Sequence, residues 1–140
     1  MMEHEPQRYE RGQRVGWPIA GWSPWPRLPR TAMAGGFARV EPLDPDRHAA
    51  ELFDANSEDR EGAVWTYYNF GPFTTLPEYR AWLDAGCANP DQYYHAIRDN
   101  AQGKAVGVVV YQNCVPTMGT IEIGGLVFSP RLQRRPTRCI

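Results

Sequence analysis

The sequence predicts an α+β fold, with one strand and two helices followed by a three-stranded antiparallel meander, on three observations. Two segments repeat their apolar residues at the helical period of 3.6, each behind a capping signal. From Gln92 onward the period changes to two, broken only by short clusters of turn-forming residues. A single strand-like run precedes the helices and nothing repeats internally. Strands and helices are therefore segregated along the chain rather than alternating as βαβ units.

The 140 residues carry a formal charge of −1 and are 42% hydrophobic, which describes one soluble globular domain and excludes a disordered chain. So balanced a charge argues against a nucleic-acid partner, whose phosphates call for a clear Lys/Arg surplus. Cys87, Cys114 and Cys139 are far apart and odd in number, so neither a disulfide framework nor a metal site is indicated. No apolar run reaches the ~18 residues of a membrane span, and the polar start lacks a secretory core. The expectation is a cytoplasmic protein with no membrane partner.

In order, residues 1–36 predict an N-terminal arm. Trp17, Trp22 and Trp25 stand among Pro18, Pro24, Pro26 and Pro29, which forbid helix or central strand. Tryptophans bury about 150–250 Å² each when they pack, so the arm is expected to lie extended over the domain surface. Pro26-x-x-Pro29-Arg30 also fits a proline-rich ligand for another protein, although its basic residue is not at the usual spacing. Residues 37–43 predict the first strand, anchored by Phe37, Val40 and Leu43. Asp44-Pro45-Asp46 starts a helix whose buried stripe is Ala49, Leu52 and Phe53, with His48 beside the stripe as a surface or partly packed side chain rather than a ligand.

Residues 65–73 are dense in aromatics and end in Gly71-Pro72-Phe73, a turn signal. They read equally as core filler between two helices and as the wall of a substrate pocket. Thr75 and Glu78 form a capping box for a second helix with Tyr79, Trp82 and Leu83 inward and Gly86 as its stop. Strands follow over 93–98 and 105–111, joined by turn chemistry at 99–103. After a second turn at 115–119 comes a long strand, 120–129. Ile121, Ile123 and Val127 fall on one of its faces and Glu122, Leu126 and Phe128 on the other, so it is expected to be buried. A buried strand should not contain Gly124-Gly125 without cause, and the pair predicts a bulge, a bend or a close approach.

The order of elements, together with 103–108, Ile121-Glu122-Ile123-Gly124 and the run Phe128-Ser129-Pro130-x-Leu132-Gln133-Arg134, resembles the GNAT superfamily of acyl-CoA-dependent N-acetyltransferases. The branch it resembles most includes the ribosomal-protein N-acetyltransferases, to which the 65–73 segment and Leu43-Asp44-Pro45-x-x-His48 are also similar. The resemblance implies acetyl-CoA as co-substrate and an amine acceptor, a protein N-terminus or a small amine. It makes Gly124 and Gly125 the bulge whose free N–H holds the thioester carbonyl. Glu122 becomes the candidate general base, or else a carboxylate with a structural partner. The backbone of Leu126, Val127 and Phe128 becomes the edge along which the pantetheine arm lies, with Gln133 and Arg134 starting the pyrophosphate loop, and Tyr67 and Tyr68 lining the acceptor pocket.

The family's loop of pattern Gln/Arg-x-x-Gly-x-Gly/Ala does not continue past Arg134, because residues 135–140 hold no glycine and a proline. The resemblance therefore implies a GNAT-like fold represented by its N-terminal part over 37–134, with 135–140 an aberrant tail. It implies an acetyltransferase by ancestry that is truncated, catalytically incomplete alone, weak in cofactor binding and prone to self-association through an open strand edge. The rival reading is a non-enzymatic interaction module using the arm or that edge.

Overall fold

The structure is a computed structural model that describes residues 7–134; the expectation of an aberrant tail at 135–140 lies outside the described residues. Its elements are β1 (Met33–Ala34), β2 (Ala38–Pro42), α1 (Pro45–Asn56), a 3₁₀ turn (Ala63–Trp65), α2 (Leu76–Ala88), β3 (Tyr93–Asp99), β4 (Lys104–Val115) and β5 (Thr120–Phe128). The five strands form one sheet in the order of the chain, every neighbouring pair antiparallel.

Turn chemistry fixes the meander. Gly103 at φ 64° donates its N–H to Asp99 O (2.8 Å), closing β3 onto β4. Gly119, also at φ 64°, closes β4 onto β5 through Pro116 O (3.2 Å). The two-residue β1 was not foreseen. Gly35-Gly36 is the turn of a small hairpin, with Gly35 N–H on Ala38 O (2.8 Å) and the Asn100 carboxamide on both glycine carbonyls. That hairpin shifts the inward positions of β2 to Ala38 and Val40. Phe37, expected as an anchor, is 61% exposed.

Asp44 caps α1 by accepting the Asp46 N–H (3.0 Å), with Pro45 at the first turn. Ala49 and Leu52 are buried as the stripe requires, and so is His48, fully rather than at the surface or partly packed as expected. His48 Nδ1 accepts the Asp44 N–H (3.0 Å), so its proton sits on Nε2 and is donated to Glu41 Oε1 (3.0 Å). Glu41 is itself buried on β2 and takes a second bond from Arg39 (2.8 Å), with Arg47 and Arg98 at 3.5 and 3.8 Å. Burial pushes its carboxyl up, but the bonds from His48 and Arg39 outweigh that and hold it below the usual range.

The capping box of α2 forms, Glu78 N–H to Thr75 Oγ1 (3.4 Å) and Thr75 N–H to Glu78 Oε2 (3.3 Å). Gly86 is not its stop. The helix runs on to Ala88, and Gly86 is glycine because the Tyr94 ring rests on it: a Cβ there would lie 2.4 Å from the ring. Both helices pack on one face of the sheet, where Leu52, Tyr79 and Leu83 share a core with Tyr94, Ala96, Val108, Val110 and Val127. Trp65 is buried at the centre of that core. Tyr68, Phe70, Phe73, Tyr79 and Trp82 surround its ring at centroid distances of 5.4–6.5 Å.

Candidate active site: the bulged edge strand

β5 ends the sheet, and among the described residues no strand pairs with its outer side. The expectation that it is buried on both faces holds only near its C-terminal end. Val127 is fully buried, whereas Ile121, Ile123 and Leu126 are 45%, 61% and 41% exposed. The helices cover β3, β4 and the end of β5, and the outer part of the strand runs past them.

The interruption falls at the glycine pair. Val108 pairs with Val127 and Val110 with Gly124, so two steps along β4 face three along β5, and one residue of β5 is extra. Gly125 takes it up at φ 55°, a backbone conformation side chains disfavour, and a Cβ there would lie 2.7 Å from Val110. At Gly124 a Cβ would strike the Gln112 carboxamide at 2.6 Å. The two glycines thus have separate causes, backbone twist at 125 and side-chain crowding at 124.

Around this bulge the structure gathers some of the residues that the sequence nominates. Tyr68 reaches across from the loop between the helices and donates its hydroxyl to Leu126 O (2.8 Å). Its ring is stacked on Phe70 at 4.8 Å, and burial raises its pKa, so the hydroxyl keeps its proton. Tyr67, by contrast, is 97% exposed. Glu122, two residues before Gly124 and so on the same strand face, accepts from Gln112 Nε2 (2.9 Å) and Asn113 Nδ2 (2.6 Å). Those two bonds, Asn113 first, hold its carboxyl below the usual range. The Val127 side chain is spent in the core, and its backbone is paired with Val108 of β4.

Beyond β5, Ser129 is buried with its Oγ on Val106 O (2.5 Å), and the N–H groups of Leu132 and Gln133 both reach Ser129 O, one helical turn. Gln133 Nε2 donates back to Phe128 O (2.9 Å), while Arg134 is exposed with φ 58°. Arg131 is tied to Asp54 (2.8 Å) and Glu58 (2.7 Å), anchoring this turn to α1.

At the other end of β5 lies a groove of about 250 Å³ that sequence reasoning missed, walled by Trp25, Pro26 and Leu28 of the arm and by Tyr93, Pro116 and Ile121 of the sheet. The arm is held there by Trp22 Nε1 on Thr117 O (2.9 Å), Trp25 N–H on Pro116 O (3.3 Å) and Arg30 over the Tyr93 ring at 5.2 Å. The Trp/Pro content signalled an arm, but no periodicity could say where it would land. Among the described residues no group of three His, Cys, Asp or Glu side chains is placed to hold a metal, and no helix is long and apolar enough to cross a membrane.

No family model and no curated protein matches the chain. Solved structures do. A GCN5-related N-acetyltransferase from Brucella melitensis superposes with a TM-score of 0.81 at 32% identity, over 86% of this chain and 54% of its own. A probable acetyltransferase (GNAT family) from Chromobacterium violaceum gives 0.79 at 29% identity, over 90% of this chain and 63% of its own. This chain belongs to the GNAT superfamily. It spans between half and two thirds of the length of these GNAT relatives. The spermidine N-acetyltransferase of Vibrio cholerae, solved with CoA and spermine, shares the GNAT fold at 13% identity and a TM-score of 0.52, over 72% of this chain and 56% of its own.

Proposed function

We propose that this chain carries the thioester-holding wall of an acetyl-CoA-dependent N-acetyltransferase, acting on an amine by direct attack. The observation that carries the reading is the glycine bulge in an edge strand whose outer side pairs with no strand among the described residues. A bulge frees backbone groups from the ladder, and an open edge offers them to an extended ligand as an added strand. The residues fit acetyl-CoA in this sense, since Leu126 and Phe128, on either side of the ladder-paired Val127, present strand backbone and Arg134 an exposed cation a few residues on.

Bound there, acetyl-CoA supplies an activated acetyl group. Gly124 and Gly125 set the backbone that aims an N–H at its carbonyl, a kind of donor whose removal costs ~2.7–4 kcal/mol in preorganised sites. Gln133 and Arg134 lie toward the pyrophosphate, and Tyr67 and Tyr68 toward the acceptor. Glu122 is held ionised by Gln112 and Asn113, which suits a carboxylate that orders a water near the entering amine better than one that binds the amine proton tightly. The acceptor class is an amine, a protein N-terminus or a small amine. The described residues build one wall of the cleft, so cofactor binding is expected to be weak and turnover by this chain alone low.

Calorimetric titration with acetyl-CoA tests the reading. Saturable binding that Gly125→Val abolishes, while unfolding stays cooperative, is the expected result. No binding by the wild-type chain, or equal binding by the variant, defeats it. A second reading, self-association through β5, is favoured by the exposed Ile121, Ile123 and Leu126. It predicts a sedimentation coefficient that rises with concentration and no longer does so in Ile123→Lys; a concentration-independent monomer excludes it.

A further inference from the structure

We infer that Tyr68 is a positioning residue for the bulge: its hydroxyl, by holding the Leu126 carbonyl, fixes the direction of the N–H that meets the thioester. This rests on the proposed acetyl-CoA site. The contact joins residues 58 apart in sequence, from the interhelical loop to the residue directly after Gly125. At a bulge the ladder does not dictate peptide orientation, so a side chain that bonds its carbonyl supplies what β4 does not. In an extended residue the N–H and C=O point to the same side of the strand, as the paired exchange of bonds in antiparallel ladders requires. Fixing the Leu126 C=O therefore also fixes the Leu126 N–H.

The clamp is itself rigid. Tyr68 stacks on Phe70 at 4.8 Å and meets the buried Trp65 at 6.2 Å, and Phe70 rests on Trp82 at 5.0 Å. Its hydroxyl is therefore carried on the aromatic core rather than on a free loop. The aromatic stretch has two products, a packed centre at Trp65 and one polar atom delivered to the edge strand.

Tyr68→Phe keeps the ring and removes only the donor. Amide exchange by NMR should quicken about 5- to 10-fold at Gly124 and Val127, the ladder-paired residues flanking the bulge, the equivalent of one net hydrogen bond, and stay unchanged at Ala96. Affinity for acetyl-CoA should fall by a similar factor while affinity for CoA, which lacks the thioester carbonyl, stays the same. If both ligands weaken together, or neither does, Tyr68 does not position a carbonyl donor. Should the wild-type chain bind neither ligand, the proposed function falls, and the inference about a ligand falls with it. Exchange at Gly124 and Val127 then still decides whether Tyr68 orders the bulge.

Discussion

The two halves of the sheet obey different rules. Where the middle of β3 and β4 meets the helices, the packing is apolar and closed: Ala96, Val108, Leu52 and Leu83 have no accessible surface. Along the outer part of β5 the equivalent positions hold Glu122 and Gly124, bonded or crowded by the carboxamide of Gln112, and the apolar residues face outward. The first half is shaped by burial and the second by backbone geometry and polar contacts. The lesson is that one sheet has a packed end and an end set by bulge and polar contacts, joined by the Tyr68 hydroxyl.

The strongest way to break this contrast is to empty the packed half. Trp65→Ala should cost ~3–5 kcal/mol, as deletion of a large core aromatic does, read from urea unfolding. A loss no larger than that of any change in β5 would end the comparison. His48→Leu comes next, at ~1–3 kcal/mol, since it leaves the Asp44 N–H and one side of a buried carboxylate unpartnered. It also changes the response to acid. Glu41 has a folded pKa below 4.5, so its contribution to stability is present above 4.5 and is lost as pH falls through the folded value. In His48→Leu that acid-dependent contribution should shrink, which unfolding curves at a series of pH values will show.

Gly125→Val should cost a similar ~1–3 kcal/mol for backbone held where side chains are disfavoured, yet remove acetyl-CoA binding altogether. A variant with normal affinity would place the chemistry elsewhere. The smallest effect is expected at Glu122. Its carboxyl resonance should titrate below 4.5, and Asn113→Ala should move that midpoint upward. No movement would mean that the carboxamides of β4 do not hold it.

How far the sequence could be read follows the same division. Ala49, Leu52, Tyr79, Leu83, the capping box and the three strands of the meander all obeyed local periodicity or capping chemistry, and the structure has them. Gly124-Gly125 was legible as an interruption because glycine has no other business in a strand. What failed depended on partners distant in sequence. His48 looked like a flank residue because Glu41, seven residues earlier and on a strand, is what draws it inward. Gly86 looked like a helix end because nothing local announces the Tyr94 ring lying on it. Phe37 was misassigned by the unseen hairpin at Gly35-Gly36. The landing site of the arm and the Tyr68 contact with Leu126 span 58 residues or more and leave no periodic trace.

Sheet order that copies chain order also has a kinetic meaning. β3, β4 and β5 are separated by turns at 100–103 and 116–119, so their mutual pairing closes only short loops. β2 must wait for residues 43–92 before it finds β3, a closure with a larger entropic barrier. We expect pulse-labelled refolding to protect amides at 93–128 before those of 38–42. Simultaneous protection of both would show instead that α1 and α2 condense early enough to bring the distant strand in with them.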